Sequence, residues 1–506
     1  MRSGGPGVKW LVAGFAALLP VLFIPMSVDA YILPRATLVL IAAPVLFGIG
    51  LARGGRPGAL KLPALAVLLA ALLAWVLSPA PALGLVGAYG RYESVLMRIA
   101  YLALFFGASW LVRAPAGSAP SPATDAGARA QRGAASGVES VVSGFLLGAA
   151  IISLEALFEA VTHSLPVPDG NLGQHNLLGV MLAMALPLAV LRGLRSWRSL
   201  PLVLLIGLGL LVSESRSAWL GAAGGLALLV LFLVPQRRLR WALAGGALAL
   251  VALLLILLVS PLRNLNQDPG TARVGVWRDA VHVIAARPIT GWGEEGFGLI
   301  YGRWQSADWQ PGSNFDRAHS VPLDLAASQG LLGLLACAWF WIQIWRRLWA
   351  ERGLANAGLA AALGAYTAWG LLNFDWAPVT AIFWLLGGLA YEPGWGPARA
   401  RLAPALALLP LGLAMVAFAL SAQLADLYYY RGDPRTAARL DPLQSEYHAA
   451  IGTYRQLRLA ATLGDPDPSV WVRLGEMESS LKAARADYRR ALLIYPFDAT
   501  ARQRLG

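Results

Sequence analysis

The chain has 506 residues, 57% of them hydrophobic and only 14% charged, with a mean hydropathy of +0.58. An ordinary soluble domain carries about 25% charged residues, so composition excludes a large soluble α protein and points to many membrane spans. The net charge of +13 is accounted for by arginines in short loops, which leaves nucleic-acid binding without support, and a single cysteine, Cys337, excludes an internal disulfide.

Apolar runs of about spanning length follow one another at 9–28, 31–52, 62–79, 95–113, 138–158, 175–192, 201–213, 217–234, 241–260, 321–345, 354–373, 376–392 and 403–422. The fold class expected is an all-α polytopic membrane bundle of about 13 transmembrane helices. The first run begins near Lys9 and has no small-residue cleavage site, so it reads as a retained span. Arg53, Arg56 and Lys61 share one loop. Further clusters fall in alternate loops, at Arg113, Arg129 and Arg132; Arg192, Arg195 and Arg198; Arg237, Arg238 and Arg240; Arg346, Arg347 and Arg352; and Arg399 with Arg401. Placing the N-terminus in the cytoplasm puts every cluster inside and sends the 261–320 loop and the tail outside. Residues 115–137, rich in Ala, Gly, Ser and Pro, read as a flexible cytoplasmic linker.

Glu155 and Glu159 lie one helical turn apart near the outer end of the fifth span, where they can line a cavity. Arg216, in Ser213-Glu214-Ser215-Arg216-Ser217, breaks two apolar runs. A charge at that depth faces a cavity or snorkels to the interface beside Glu214. The 261–320 loop is the one long polar interruption. It holds six arginines and six acids, so its arginines matter by position. After Asp268-Pro269-Gly270, Thr271 predicts an N-cap and a helix that stops near Arg287-Pro288. Arg273 and Trp277 share a face there, and Ala280, Val281 and Ile284 make that face amphipathic. Gly291-Trp292-Gly293-Glu294-Glu295-Gly296 is a glycine turn, and His319, able to accept a proton near neutral pH, closes the loop. His163, His175, His282 and His448 read as structural. Trp292, Trp304 and Trp309 suit sugar stacking or membrane anchoring.

The tail, 423–506, is soluble in composition and shows two amphipathic stretches. Trp471-x-x-Leu474-Gly475 followed by Ala484, Tyr488, Ala491 and Pro496 resembles a tetratricopeptide repeat. It reads as a helical cap or as a docking surface for a protein partner or acceptor.

Ser215-Arg216, Arg273-x-x-x-Trp277, Arg287-Pro288-Ile289-Thr290-Gly291-Trp292-Gly293, and Ala318-His319-Ser320 with Gly330-Leu331-Leu332-Gly333 come in the order and spacing of the O-antigen ligase/polymerase superfamily, which the chain resembles over about 165–345. Gly170-Asn171-Leu172-Gly173-Gln174-His175-Asn176 looks like that family's loop before a span. This chain has Ser320 where the family commonly has Asn, and the paired acids Glu294 and Glu295 in its glycine turn.

The resemblance implies a transmembrane glycosyltransferase domain over 1–422, with 261–320 as a periplasmic catalytic loop. The enzyme would move a glycan from undecaprenyl diphosphate to an acceptor hydroxyl at the outer face of the bacterial inner membrane, inverting and without metal or cofactor. By motif, Arg216 and Arg273 hold the diphosphate and His319 takes or orients the acceptor proton. Arg35, Arg91, Arg278, Arg303, Trp277 and Glu155 are second-rank substrate contacts. Ligase-type transfer to a lipid A core stands beside polymerisation of repeat units and O-oligosaccharyl transfer to protein. A lipid-linked saccharide flippase is the reading from another class, against which stands the outer placement of Arg273 and His319. A scaffold that recruits partners through its tail would explain the tail but not Arg216.

Overall fold

The computed structural model describes residues 7–113, 125–234, 236–239, 271–312, 314–395 and 402–506, with Trp241, Leu243 and Gly245–Gly246, and the backbone alone at 125–135, 271 and 402. The protein is an all-α polytopic membrane protein. Among the described residues, eight helices are long and apolar enough to cross a membrane, and Val8–Val21, Trp197–Val212 and Ala377–Ala390 are shorter apolar helices.

The membrane part is built from α1 (Gly7–Val21), α2 (Ile32–Ala52), α3 (Lys61–Val76), α4 (Pro81–Val86), α5 (Val95–Val112), α6 (Asp125–Thr162), α7 (His175–Arg195), α8 (Leu200–Val212) and α9 (Arg216–Leu233). The loop contributes α10 (Thr271–Ala286) and α11 (Phe297–Ile300). After it come α12 (Val321–Ala350), α13 (Leu354–Gly370), α14 (Ala377–Ala390) and α15 (Leu402–Tyr430). Every expected span but one therefore coincides with a described helix; 241–260 lies almost wholly outside the described residues, as does 261–270 of the loop. One boundary differs. Residues 125–137, assigned to the linker by composition, already belong to α6.

Small residues set how closely the helices pack. A Cβ at Gly221 would lie 2.7 Å from the Ala365 carbonyl oxygen, and one at Gly225 would lie 2.6 Å from that of Ala361. This i, i+4 pair lets α9 and α13 run antiparallel with their backbones nearly touching. A single large core of aliphatic and aromatic side chains from α1, α2, α5, α7, α13 and α14 fills the bundle. At one end β1 (Gly55–Arg56) pairs antiparallel with β2 (Gly394–Trp395), which joins two loops that the charge pattern assigns to the same side.

The tail departs from the two stretches seen in the sequence. Helix α15 runs unbroken to Tyr430, past the boundary at 423. It is followed by α16 (Pro434–Leu440), α17 (Ser445–Ile451), α18 (Tyr454–Leu463), α19 (Pro468–Met477), α20 (Leu481–Ile494) and α21 (Ala499–Leu505). Alternation within such short helices is too brief to register as a period. The buried carboxylate of Asp426 anchors the tail's root, accepting from Ser27 and Tyr89. Gly475 lies directly against Tyr488, where an added Cβ would stand 2.6 Å from the ring, so α19 and α20 close as a hairpin.

Candidate functional site

The described part of the loop, 271–312 and 314–320, packs about a small core that Ala327 of α12 completes. Val276, Ala280 and Val283 of α10 pack with Trp292, Phe297, Ile300, Tyr301, Phe315 and Ala318. The buried stripe of α10 is thus 275, 276, 279, 280 and 283, while Val281 is exposed. That corrects the face drawn from the sequence, because the core packed under the loop takes up the helix. Buried Asp279 acts as a polar hub, accepting from Ser306 backbone N and Oγ at 3.0 and 2.8 Å and from Trp309 Nε1 at 2.8 Å.

The two glycine motifs turn out to be halves of one contact. Helix α12 is broken at Gly330, which has φ 67° and ψ −170°. The break releases carbonyls that the preceding turn takes up. Trp292 N donates to Ala327 O and Gly293 N to Ser328 O, both at 2.8 Å, and Leu331 N donates to Pro288 O at 2.7 Å. A Cβ at Gly330 would meet the Ile289 carbonyl oxygen at 2.2 Å. Glu294 and Glu295 then clamp the turn. Glu294 accepts from Gln329 and from Arg98 Nε at 3.1 Å, Arg98 also reaches Asp375 at 2.9 Å, and Glu295 pairs with buried Arg317. Burial pushes the Glu295 carboxyl up to about 8 even with Arg317 opposing it, and burial pushes Glu93, with Arg98 opposing, up to about 7.

This frame fixes His319. Next to it Arg317 is locked by Glu295, and Ala318 N donates to Asp324 Oδ1 at 2.6 Å. His319 has φ 53°, a conformation that β-carbon sterics disfavour, and its ring stands edge-on to Phe315 and Phe374 with centroids 5.6 and 5.0 Å away. Trp277 Nε1 donates to the His319 carbonyl at 3.4 Å. Nearby, Arg91 Nε holds Asp316 Oδ2 at 2.6 Å, and its guanidinium stacks on Trp376 (4.2 Å) and Phe374 (4.9 Å). Burial works to raise the Asp316 carboxyl, but Arg91, and then Arg317 and His319, hold it below the usual range. Arg91, Asp316 and His319 line one cleft of about 900 Å³, whose far wall is the tail.

The other expected residues divide. Arg273 is half-buried on α10, one turn before Trp277 and so close to His319 in the fold. Arg216 is the first residue of α9. The turn before it is fixed by Ser215 Oγ donating to Asn176 Oδ1 at 2.6 Å and by the His175 ring against Ser213 O at 3.0 Å. Since α9 and α13 are antiparallel, Arg216 lies at the end where α13 gives way to Phe374, Asp375 and Trp376. Arg278, largely exposed, bonds Ser306, and Arg303 is exposed; neither lines the cleft.

Arg35 is fully buried and donates to the carbonyls of Leu19, Tyr31, Pro20 and Asn171 and to Asn171 Oδ1. Glu155 accepts from Asn171 Nδ2 at 2.7 Å, and Glu159 accepts from the backbone of Asp169 and Gly170, both at 2.9 Å. These three side chains are taken up in holding the 169–171 turn. Trp292 Nε1 is taken by Val283 O and Trp309 by Asp279, so both belong to the loop core. His448, read as structural, lies between Gln456 and Pro442 O.

Sequence reasoning missed Asp316, Arg98, Glu93, Arg317 and Asp375. A signal was present for two of them: Asp316 and Arg317 are adjacent to the His319 motif.

Residues 201–338 match the model of the O-antigen ligase family. The chain carries an O-antigen ligase family domain. It is a membrane enzyme of the ligase/polymerase type, and the matched segment spans Arg216, Arg273, Trp277, the glycine turn and His319. Arg91 and the tail wall lie outside that segment. Neither curated proteins nor solved structures yield a match.

Proposed function

We propose that this O-antigen ligase family protein transfers a glycan from undecaprenyl diphosphate to an acceptor hydroxyl at the periplasmic face of the inner membrane. The N-terminus is cytoplasmic and the tail, of tetratricopeptide-like hairpins, is periplasmic. The observation that carries this reading is His319, held at positive φ in the wall of an open cleft, with the helix of Arg273 bonded to its carbonyl. The acceptor hydroxyl attacks the anomeric carbon as its proton passes to His319. The sugar–oxygen bond to the diphosphate breaks on the opposite side, and the configuration inverts. Arg273 and Arg216, the latter at the start of an 18-residue helix, stabilise the charge that grows on the leaving diphosphate. No metal is required in this scheme.

Ligase-type transfer is favoured over polymerisation because the cleft is walled by a folded tail with room for a large acceptor. Polymerase and protein O-oligosaccharyltransferase activity differ only in what occupies that side. The test is reconstitution of the purified protein with a polyprenyl-diphosphate glycan and each class of acceptor, product identity deciding among them. His319→Ala and Arg216→Ala should each lose transfer by at least about 100-fold while remaining folded. Unimpaired transfer in both variants overturns the assignment.

A further inference from the structure

The cleft at His319 is electrically lopsided. The tail lines it with Asp467, Ser469, Tyr495, Phe497, Asp498 and Thr500, two carboxylates and no cation among them, and the nearest tail cation described is Arg502, its guanidinium 4.9 Å from the Phe497 ring. The loop adds Asp308 and Asp316, so four carboxylates face Arg91 and His319. In a chain of net charge +13 this wall runs against the average.

The wall is also rigid. Tyr495 Oη donates to Asp308 at 3.0 Å and accepts from Gly312 N at 2.8 Å, latching tail to loop. A Cβ at Gly302 would stand 2.3 Å from the Ile494 carbonyl oxygen, so the two backbones touch. Asp467 and Asp498 are N-caps, accepting from Ser469 N at 2.8 Å and Ala501 N at 2.7 Å. Each cap holds its carboxylate in place and sets a negative charge where the helix start would otherwise attract an anion.

On the reading that His319 serves glycan transfer, we propose that this tail wall is the acceptor subsite, and that it selects an uncharged glycan terminus and turns away anionic ones. Sugar hydroxyls donate to carboxylates, and the half-buried Phe497 ring offers apolar surface to the C–H side of a sugar ring. An acceptor bearing a carboxylate or phosphate meets like charge on both tail and loop, a penalty that sets preference without any added attraction. The same field keeps the donor diphosphate away from the tail wall.

Asp467→Asn and Asp498→Asn remove the charges while Asn keeps the capping. Steady-state transfer is measured with two acceptors that differ only at the terminal sugar, one neutral and one a uronic acid. The wild type should use the neutral acceptor with the lower KM. The double variant should narrow that ratio by roughly three- to tenfold, with donor KM unchanged. Equal use of both acceptors by the wild type overturns the proposal, as does a double variant with the wild-type ratio and an unchanged melting temperature. Calorimetric binding of the two free oligosaccharides reads the same preference without the donor. Absence of any transfer would therefore refute the glycan-transfer reading, and absence of binding preference would refute the acceptor subsite.

Discussion

Arg35 and Arg91 invite comparison, since each is an arginine near one end of an apolar helix and each was a substrate-contact candidate. Arg35 is fully buried and spends its donors on carbonyls of α1, Tyr31 and the 169–171 turn. Arg91 spends one nitrogen on Asp316 and lays its face on two aromatic rings at the edge of a large cleft. A charge in a membrane protein marks a site only when its hydrogen-bonding capacity is not already consumed by the fold.

The largest effect should come from Arg35→Ala. It strands several buried acceptors, each costing about 1–3 kcal/mol, so folded yield from detergent should collapse. A normal, monodisperse yield would break the distinction. Arg91→Ala should leave folding intact, since a partly exposed pair contributes little, but reduce transfer by roughly 10- to 100-fold. Transfer assays at matched folded protein would decide it. Gly330→Ala tests the loop's frame, because a methyl there meets backbone at Ile289. The expected result is destabilisation by a few kcal/mol, seen as a lower melting temperature with transfer lost in proportion.

A further effect concerns pH. The Glu295 carboxyl sits at about 8 in the fold against 4.5 as a free group, so the folded state binds more protons between those values. Stability is then greatest below 4.5 for this group and falls as pH rises toward 8. Glu295→Gln should flatten that fall, and thermal denaturation at pH 5, 6.5 and 8 would show it. An identical slope in the variant would mean that Glu295 is ionised throughout.

The candidate site was legible in part. Arg216 stood out as a polar break between two apolar runs, whereas Arg273 and His319 stood out through the resemblance of their motifs to the family. Asp375 did not, since it is ordinary in a polar turn and gains meaning only from Arg98, and Asp316, although next to the His319 motif, has its partner Arg91 just as far away in sequence. The face of α10 was misjudged for a similar reason: its partner is the loop's own core, which no periodicity within the helix reveals.

Composition and the long apolar runs by themselves determined the membrane class, the helical fold and the places of nearly all the apolar helices, because the bilayer demands long runs of one kind of residue. The glycine turn at 291–296 was legible as a turn. Only the tertiary structure decided that the two glycine motifs grip each other across the break in α12, that Arg35 is consumed while Arg91 faces a cleft, and that the tail forms its far wall. Those outcomes depend on which donors and acceptors remain unsatisfied once distant segments have met.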